Sequence, residues 1–255
     1  MKTQEEGGAM IPYERQMQLL QLLEENDFMS TEQLVNALEG VSESTVRRDL
    51  KALSDDGQIV LMRGGASKVR GNSHDTPVDS KLILNTEAKE RIARCAADLV
   101  QDGEVIYIDA GTTPLKMARY LRDKKITIVT TNVLIFQELA GAKAECIIIG
   151  GSVNVDMGSV MGDLTVSTLE NMFFDRAFLG ITGFSSKAGF STPDFKESRK
   201  KQVVKQNSRH TYILVDSSKV GVTTMCKVFK LDEVEVITEK ETELLKECGD
   251  YLIAR

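Results

Sequence analysis

The chain of 255 residues has no tryptophan, 2 histidines, 4 prolines and 4 cysteines. Each scarcity excludes something. Cys95, Cys146, Cys226 and Cys248 are widely spaced, with no CxxC pair, and two histidines add little, so no metal site is expected. Isolated thiols at that spacing fit free cysteines in a reducing cytoplasm, which is the expected location. No apolar run approaches the ~20 residues of a membrane helix. The opening MKTQEEGGAM has no hydrophobic core of a secretion signal. No membrane partner is expected. There is no GxGxxG and no GK[ST] loop, and no cofactor is anticipated. The net charge is -6, so any nucleic-acid contact has to rest on a local patch.

What is present is enough apolar residue, 42%, to bury real cores. The length suits two domains. Apolar residues recur at helical spacing from Ile11 to Glu25. Ser30 is placed to cap a second helix, TEQLVNAL, and Ser42 a third. In the third helix, SESTVRRDLKAL, Val46, Leu50 and Leu53 share one stripe. Ser44, Arg47, Arg48 and Lys51 fall opposite, with Thr45 at the border. After DDG come the short apolar run IVLM and then RGGAS, a hairpin-like wing. Three helices and a wing make a winged helix-turn-helix plan over residues 11–70, whose third helix enters a major groove. Candidate contacts to double-stranded DNA are Ser42, Ser44, Thr45, Arg47, Arg48, Lys51 and, in the wing, Arg63. Acids outnumber cations over this region, so the cations matter only because they are sorted onto one side.

VSESTVRRDLKAL followed by DGQIVLMRGGA resembles the recognition helix and wing of the DeoR family of bacterial transcription regulators. LEGVS carries one residue more than that pattern before Val41.

Residues 71–86, GNSHDTPVDSKLILNT, read as a polar linker. From residue 87 to 255 helical patterns alternate with short β-rich runs. EVIYI, ITIVT, CIIIG, AFLGI, TYILV and VEVIT read as buried strands. KERIARCAADLV, PLKMARYL, LIFQELA, DLTVSTLENMF, KESRKKQVVKQN and ETELLKECGDYL read as helices. This alternation predicts a mainly parallel α/β sheet covered on both faces. In such sheets ligands bind beyond the carboxyl ends of the strands. In IDAGTTP, Thr113 is placed to cap a helix with Pro114 at its first position, beside free N–H groups that suit an anion. TTN, GGS, GITGFS and DSSK follow other strands. The candidate effector-binding residues are Asp109, Gly111, Thr112, Thr113, Thr131, Asn132, Gly150, Gly151, Gly180, Glu197 and Lys219.

AKERIARCAADLVQDGEVIYIDAGTT, IIIGG, AFLGITG and ILVDSSKVG are similar to successive signatures of the DeoR sensor domain. The resemblance implies a phosphorylated sugar or related metabolite as effector, and kinship in fold to ribose-5-phosphate isomerase. It implies a regulator, expected to be a repressor of a carbohydrate operon and a homo-oligomer. The rival is an isomerase-like enzyme with a fused winged helix. Against it, ITGFSSKAG carries no carboxylate where the isomerases place paired aspartates, and Thr182–Gly183 replaces a common Asp-Gly. His74 and His210 are poorly placed as bases, and no catalytic residue is assigned.

Overall fold

The computed structural model describes residues 10–26, 28–38, 40–55, 58–62, 64–68 and 78–255. The chain divides into two compact units, Met1–Gly71 and Asn72–Arg255.

In the first unit α1 spans Pro12–Glu25, with Pro12 at its first position, where a missing N–H costs nothing. The two-residue strand β1, Met29–Ser30, leads into α2, Thr31–Ala37. Ser30 caps α2 as its sequence suggests. Its hydroxyl accepts from Gln33 N–H at 3.1 Å, and the Gln33 side chain accepts from Ser30 N–H at 2.8 Å. Helix α3 spans Glu43–Asp55, with Ser42 Oγ accepting from Thr45 N–H at 3.3 Å. Strands β2, Ile59–Met62, and β3, Gly65–Lys68, form the wing hairpin, and β1 pairs with β3. Gly64 turns this hairpin at φ +87°, where a side chain would be strained. Val46, Leu50 and Leu53 of α3 are buried with Leu19, Leu23, Leu34 and Leu38 in one core. That burial fixes which side of α3 meets solvent.

The second unit begins with α4, Val78–Ile83, inside the stretch expected to be a linker. The reason is local. Val78 is buried and its N–H donates to the Asp156 carbonyl at 2.8 Å, so the chain is already docked there. The rest runs α5 (Thr86–Asp98), β4 (Val105–Ile108), α6 (Thr112–Met117), β5 (Thr127–Thr130), α7 (Ile135–Glu138) and β6 (Glu145–Ile148). Then come the hairpin of β7 (Ser152–Asn154) and β8 (Ser159–Met161), α8 (Asp163–Leu169) and β9 (Phe174–Gly180). Finally come β10 (Gly183–Ser185), β11 (Gly189–Thr192), α9 (Phe195–Gln206), β12 (Ser208–Leu214), β13 (Cys226–Phe229), β14 (Glu235–Thr238) and β15 (Tyr251–Ile253).

Seven strands form one sheet in the order β15-β14-β12-β9-β4-β5-β6, and every pairing in it is parallel. All six expected strands lie in it. Along each strand side chains alternate between two cores: Ile106 and Ile108 face Ile92 and Ala96 of α5, while Tyr107 faces Phe174 and Val204. Burial on both faces is why these strands read as unbroken apolar runs. The seventh strand was expected to be helical. ETELLKECGDYL forms a single 3-10 turn, Glu243–Glu247, after which Gly249 and Asp250 end the turn and Tyr251–Ile253 pairs beside β14. The antiparallel sheet β10-β11-β13 and the β7–β8 hairpin were not anticipated. Their strands have three or four residues each, too short for a periodic signal.

The chain leaves β4 toward β5 and β6, and leaves β9 toward β12, β14 and β15. The carboxyl ends of β4 and β9 are therefore the switch point of the sheet, where adjacent loops diverge and open a crevice.

Candidate functional site

In the first unit the outer face of α3 carries Ser42, Ser44, Arg47, Arg48 and Lys51, all exposed, with Thr45 half-buried. The hydroxyl of Ser42 lies 3.0 Å from that of Ser44 and 2.9 Å from that of Thr45, a cluster at the helix start. Arg48 makes no side-chain hydrogen bond or ion pair among the described residues. Arg47 does: its Nη2 donates to Glu43 Oε1 at 2.7 Å, a contact that sequence inspection passed over. The aspartate of the RRD triplet does not belong to this face. Asp49 is buried and paired with Arg15 Nε at 2.6 Å, joining α3 to α1. This pair lies on the buried side of α3 with Val46, Leu50 and Leu53, whose burial leaves Arg47 and Arg48 outward. Arg63, the expected wing contact, lies outside the described residues.

In the second unit a pocket opens at the switch point of the sheet. It is lined by Asp109, Gly111, Thr112, Thr113, Gly180, Glu197 and Lys219 among the expected residues. Thr131, Asn132, Gly150 and Gly151 do not line it. The physical reason is strand order. Their loops follow β5 and β6, one and two strands outward from β4, away from the crevice. Thr131 and Asn132 instead brace the site from behind: the Thr131 hydroxyl lies 2.8 Å from that of Tyr107, and Asn132 Nδ2 donates to the Asp109 carbonyl at 3.4 Å. Gly150 is exposed and its carbonyl accepts from Thr165 Oγ1 at 2.9 Å. Gly151, also exposed, has φ +152°.

The loop after β4 differs from expectation in detail. Gly111, not Thr113, is the N-cap residue of α6, so Pro114 is the third helical residue. The first four N–H groups of a helix have no partner within it, so proline is tolerated there. A Cβ on Gly180 would stand 3.3 Å from Gly111 Cα, so the two diverging loops touch through glycines.

Asp109 and Glu197, which line the pocket, sit in a network of interlocked charges. Asp109 Oδ2 accepts from Lys201 Nζ at 2.5 Å and from Gly180 N–H at 3.0 Å. Glu197 Oε1 accepts from Lys200 Nζ at 2.8 Å and from Ser159 Oγ at 2.6 Å, and its other oxygen is 3.4 Å from Lys201. Burial opposes charge on these groups, but the partners win. Asp109 and Glu197 raise Lys201 to about 12, and Lys200 and Lys201 hold Glu197 near 2. Asp109 Oδ1 is buried with no hydrogen-bond partner.

Lys89 and Lys219 line the pocket outside that network. Lys89, on α5, is 4% exposed and its Nζ donates to the Lys81 carbonyl. Burial pushes Lys89 down to about 8. Asp216 opposes that shift, while Lys219, Lys81 and Lys116 add to it. Asp216 is occupied elsewhere, accepting from Asn85 Nδ2 and Ser218 N–H, each at 3.1 Å. Among the described residues neither Lys89 nor Lys219 has an ion-pair partner.

Lys89, Lys201, Ser159 and Thr192 line the pocket but were missed, and Asp216, which also lines it, opens the DSSK loop expected at this edge. Two of them leave a trace in the sequence. Lys89 sits on the same helical stripe as Ile92, Ala93 and Ala96, all buried. Lys200 and Lys201 follow Glu197 at the three- and four-residue spacings that bring helical side chains together. Of the charged residues flanking Glu197, Arg199 is exposed and pairs with Glu170 at 3.1 Å, and Lys196 is exposed.

Residues 15–70 match the model of the DeoR-like helix-turn-helix domain, and residues 84–240 that of the DeoR C-terminal sensor domain. An HTH-type transcriptional regulator of Bacillus subtilis, FruR, is 33% identical over 92% of this chain and 94% of its own. The glycerol-3-phosphate regulon repressor of Escherichia coli is 33% identical over 86% and 87%. Ribose 5-phosphate isomerase A of Methanocaldococcus jannaschii superposes with a TM-score of 0.39 and 19% identity, over 53% of this chain and 55% of that one. Among the described residues no helix is long and apolar enough to cross a membrane. A helix-turn-helix unit, then a parallel α/β sensor unit, both matched over nearly the whole chain, identify it as a member of the DeoR family of HTH-type transcriptional regulators.

Proposed function

We propose that this protein is a cytoplasmic repressor of a carbohydrate-use operon, released from its operator by a phosphorylated sugar. Residues 11–70 read DNA, residues 87–255 sense the effector, and 71–86 join them, with α4 (Val78–Ile83) docked on the sensor side. The outer face of α3 binds the operator through Ser42, Ser44, Thr45, Arg47, Arg48 and Lys51, with Arg63 reaching from the wing. Helix-turn-helix proteins bind paired half-sites as dimers, so this protein acts as a homo-oligomer.

The effector sits in the pocket at the switch point. The observation that carries this reading is Lys89 and Lys219, two pocket-lining cations that form no ion pair among the described residues, in a concave site with Gly111, Thr112 and Thr113. A phosphate dianion supplies the missing charge, and the hydroxyls and N–H groups of residues 111–113 complete its ligation. Binding acts on DNA only if the effector prefers the DNA-incompetent state. The pocket holds its ligand without turnover. The stretch ITGFSSKAG carries no carboxylate where the isomerases place paired aspartates.

The test is fluorescence anisotropy with DNA from upstream of the protein's own operon, titrated with a panel of sugar phosphates. Tight, salt-sensitive binding relieved by one sugar phosphate supports both halves. No DNA binding at any salt concentration sinks the proposal.

A further inference from the structure

We infer that α4, the segment through which the chain enters the sensor unit, is a wall of the effector site. Lys81 on it joins Lys89 and Lys219 in holding the effector's phosphate, so a bound effector clamps α4 to the sensor. This rests on the sugar-phosphate reading and deepens it.

Helix α4 has six residues, Val78–Ile83, too few to persist unless something docks it. Leu82 packs against the core that α5 shares with the sheet. The other contacts are made at the pocket. Val78 and Lys81 line it, and so do Met157 and Lys89. Val78 is buried, and its N–H donates to the carbonyl of Asp156 at 2.8 Å, beside Met157 in the turn between β7 and β8. The Lys81 ammonium lies 3.9 Å from the Met157 sulfur. The Lys81 carbonyl accepts from Lys89 Nζ. The groups that hold α4 in place are therefore largely the groups that surround the ligand.

Charge gives the sign of the effect. Three ammonium groups from three separate elements line this one pocket: Lys81 from α4, Lys89 from α5 and Lys219 from the turn after β12. They are close enough to act on one another. Burial is the main reason that Lys89 falls to about 8, and the charges of Lys219 and Lys81 push it the same way, against Asp216. Like charges on α4 and on the body of the sensor thus repel. A phosphate dianion among them turns that repulsion into a bridge.

The first unit ends at Gly71, and α4 is the first helix of the sensor unit among the described residues. A ligand that fixes α4 therefore fixes the sensor's end of the connection to the DNA-binding unit. Regulation then needs no contact between effector and that unit. It needs only that the operator-bound state hold α4 less firmly.

The experiment is hydrogen exchange of the full-length protein over residues 78–84, with and without glycerol 3-phosphate, fructose 1-phosphate, glucose 6-phosphate or inorganic phosphate. Calorimetric titration of the same compounds into wild type, Lys81→Met and Lys81→Arg accompanies it. Lys81→Met should weaken binding about tenfold or more, the worth of a hydrogen bond between charged groups. Lys81→Arg keeps the charge and should lose less. A compound that binds the wild type should slow exchange over α4, and the slowing should shrink in Lys81→Met, because the two effects are linked. Unchanged exchange over α4 while a compound binds overturns this inference and leaves the sugar-phosphate reading standing. Wild-type affinity in Lys81→Met does the same. Equal losses in Lys81→Met and Lys81→Arg would mark a packing role and overturn the phosphate contact. Failure of every phosphate compound to bind overturns the sugar-phosphate reading itself, and this inference with it.

Discussion

The outer face of α3 and the sensor pocket both present lysine or arginine toward a proposed anion, but they hold their charges in opposite ways. On α3 the cations are exposed: the Arg47 side chain keeps 62% of its accessible surface and Arg48 has no described partner. Presenting them costs little, because water solvates them until DNA replaces it. In the pocket Lys200 and Lys201 keep 1% and 7%, and each is tied to a carboxylate. A buried ion has lost its hydration and persists only while its partners stay in place. The exposed face is therefore laid over an independent core, whereas the pocket charges are part of what holds the sensor together.

The largest expected effect breaks the comparison at its buried side. Lys201→Met removes the ion shared by Asp109 and Glu197 and leaves two carboxylates short of a partner. Removing one member of a buried ion pair costs ~3–5 kcal/mol. Urea denaturation of the sensor unit should show that loss at neutral pH. A variant as stable as the wild type would mean that the pocket charges are as dispensable to folding as surface charges. Arg48→Ala tests the exposed side. It should leave stability within ~0.5 kcal/mol, as surface substitutions do. Operator affinity should fall by ~1–3 kcal/mol if Arg48 reads a base, with relaxed preference at that position. A uniform loss over all sequences, with a shallower salt dependence, would mark a phosphate contact.

The same contrast explains how much of the molecule was legible in the sequence. The α3 face was legible because burial of Val46, Leu50 and Leu53 fixes the roll of one helix, and the opposite residues must then be exposed. A single periodicity decides it. The pocket depends on strand order. TTN and GGS look as suitable as GITG and DSSK, yet β5 and β6 lie to one side of the switch point and β9 and β12 to the other. Nothing local to Thr131 or Gly150 records that. Lys89 and Lys201 were passed over because lysine usually marks a solvent face. Here each lies on the inward side of its helix, where its neighbours Ile92, Ala96 and Val204 would have pointed to burial. Asp49 is the opposite case. It sits within the basic triplet, but its partner Arg15 is on another helix.

Lys89 lies between the two extremes, buried yet without an acidic partner, and its titration sharpens the comparison. Its pKa in the free protein is lowered to about 8, and a bound phosphate dianion would raise it. A group whose pKa rises on binding strengthens binding below its free pKa, and that gain is lost as pH climbs above it. Phosphate monoesters lose their second proton near pH 6, so the ligand's own charge is steady above pH 7. Effector affinity should therefore fall about tenfold between pH 7 and pH 9, if the bound pKa exceeds 9. Lys89→Met should bind more weakly and lose this pH dependence. A wild-type affinity that is flat across the interval would remove Lys89 from the phosphate site.

The smallest expected effect lies at the one place where the exposed face borrows the pocket's device. Glu43 pairs with Arg47 four residues on, with 59% and 62% of the two side chains exposed. Such a helical pair contributes ~0.3–0.5 kcal/mol. Glu43 also stands in the first turn of α3, where a negative charge favours the helix. Glu43→Gln should thus lower stability by a few tenths of a kcal/mol. Its effect on DNA has the opposite sign. If Arg47 meets the DNA backbone as proposed, the carboxylate competes with phosphate for it and adds repulsion at that face. Removing it should tighten operator binding about two- to threefold and steepen the salt dependence, because one more cation becomes available. Anisotropy at two salt concentrations, beside a urea melt of the same variant, separates the two terms. Tighter binding with a slightly weaker fold is the signature of a surface arranged for its partner and not for stability. If affinity and salt slope stay unchanged while stability falls, Arg47 remains with Glu43 on DNA, and Arg48 and Lys51 carry the electrostatic contact.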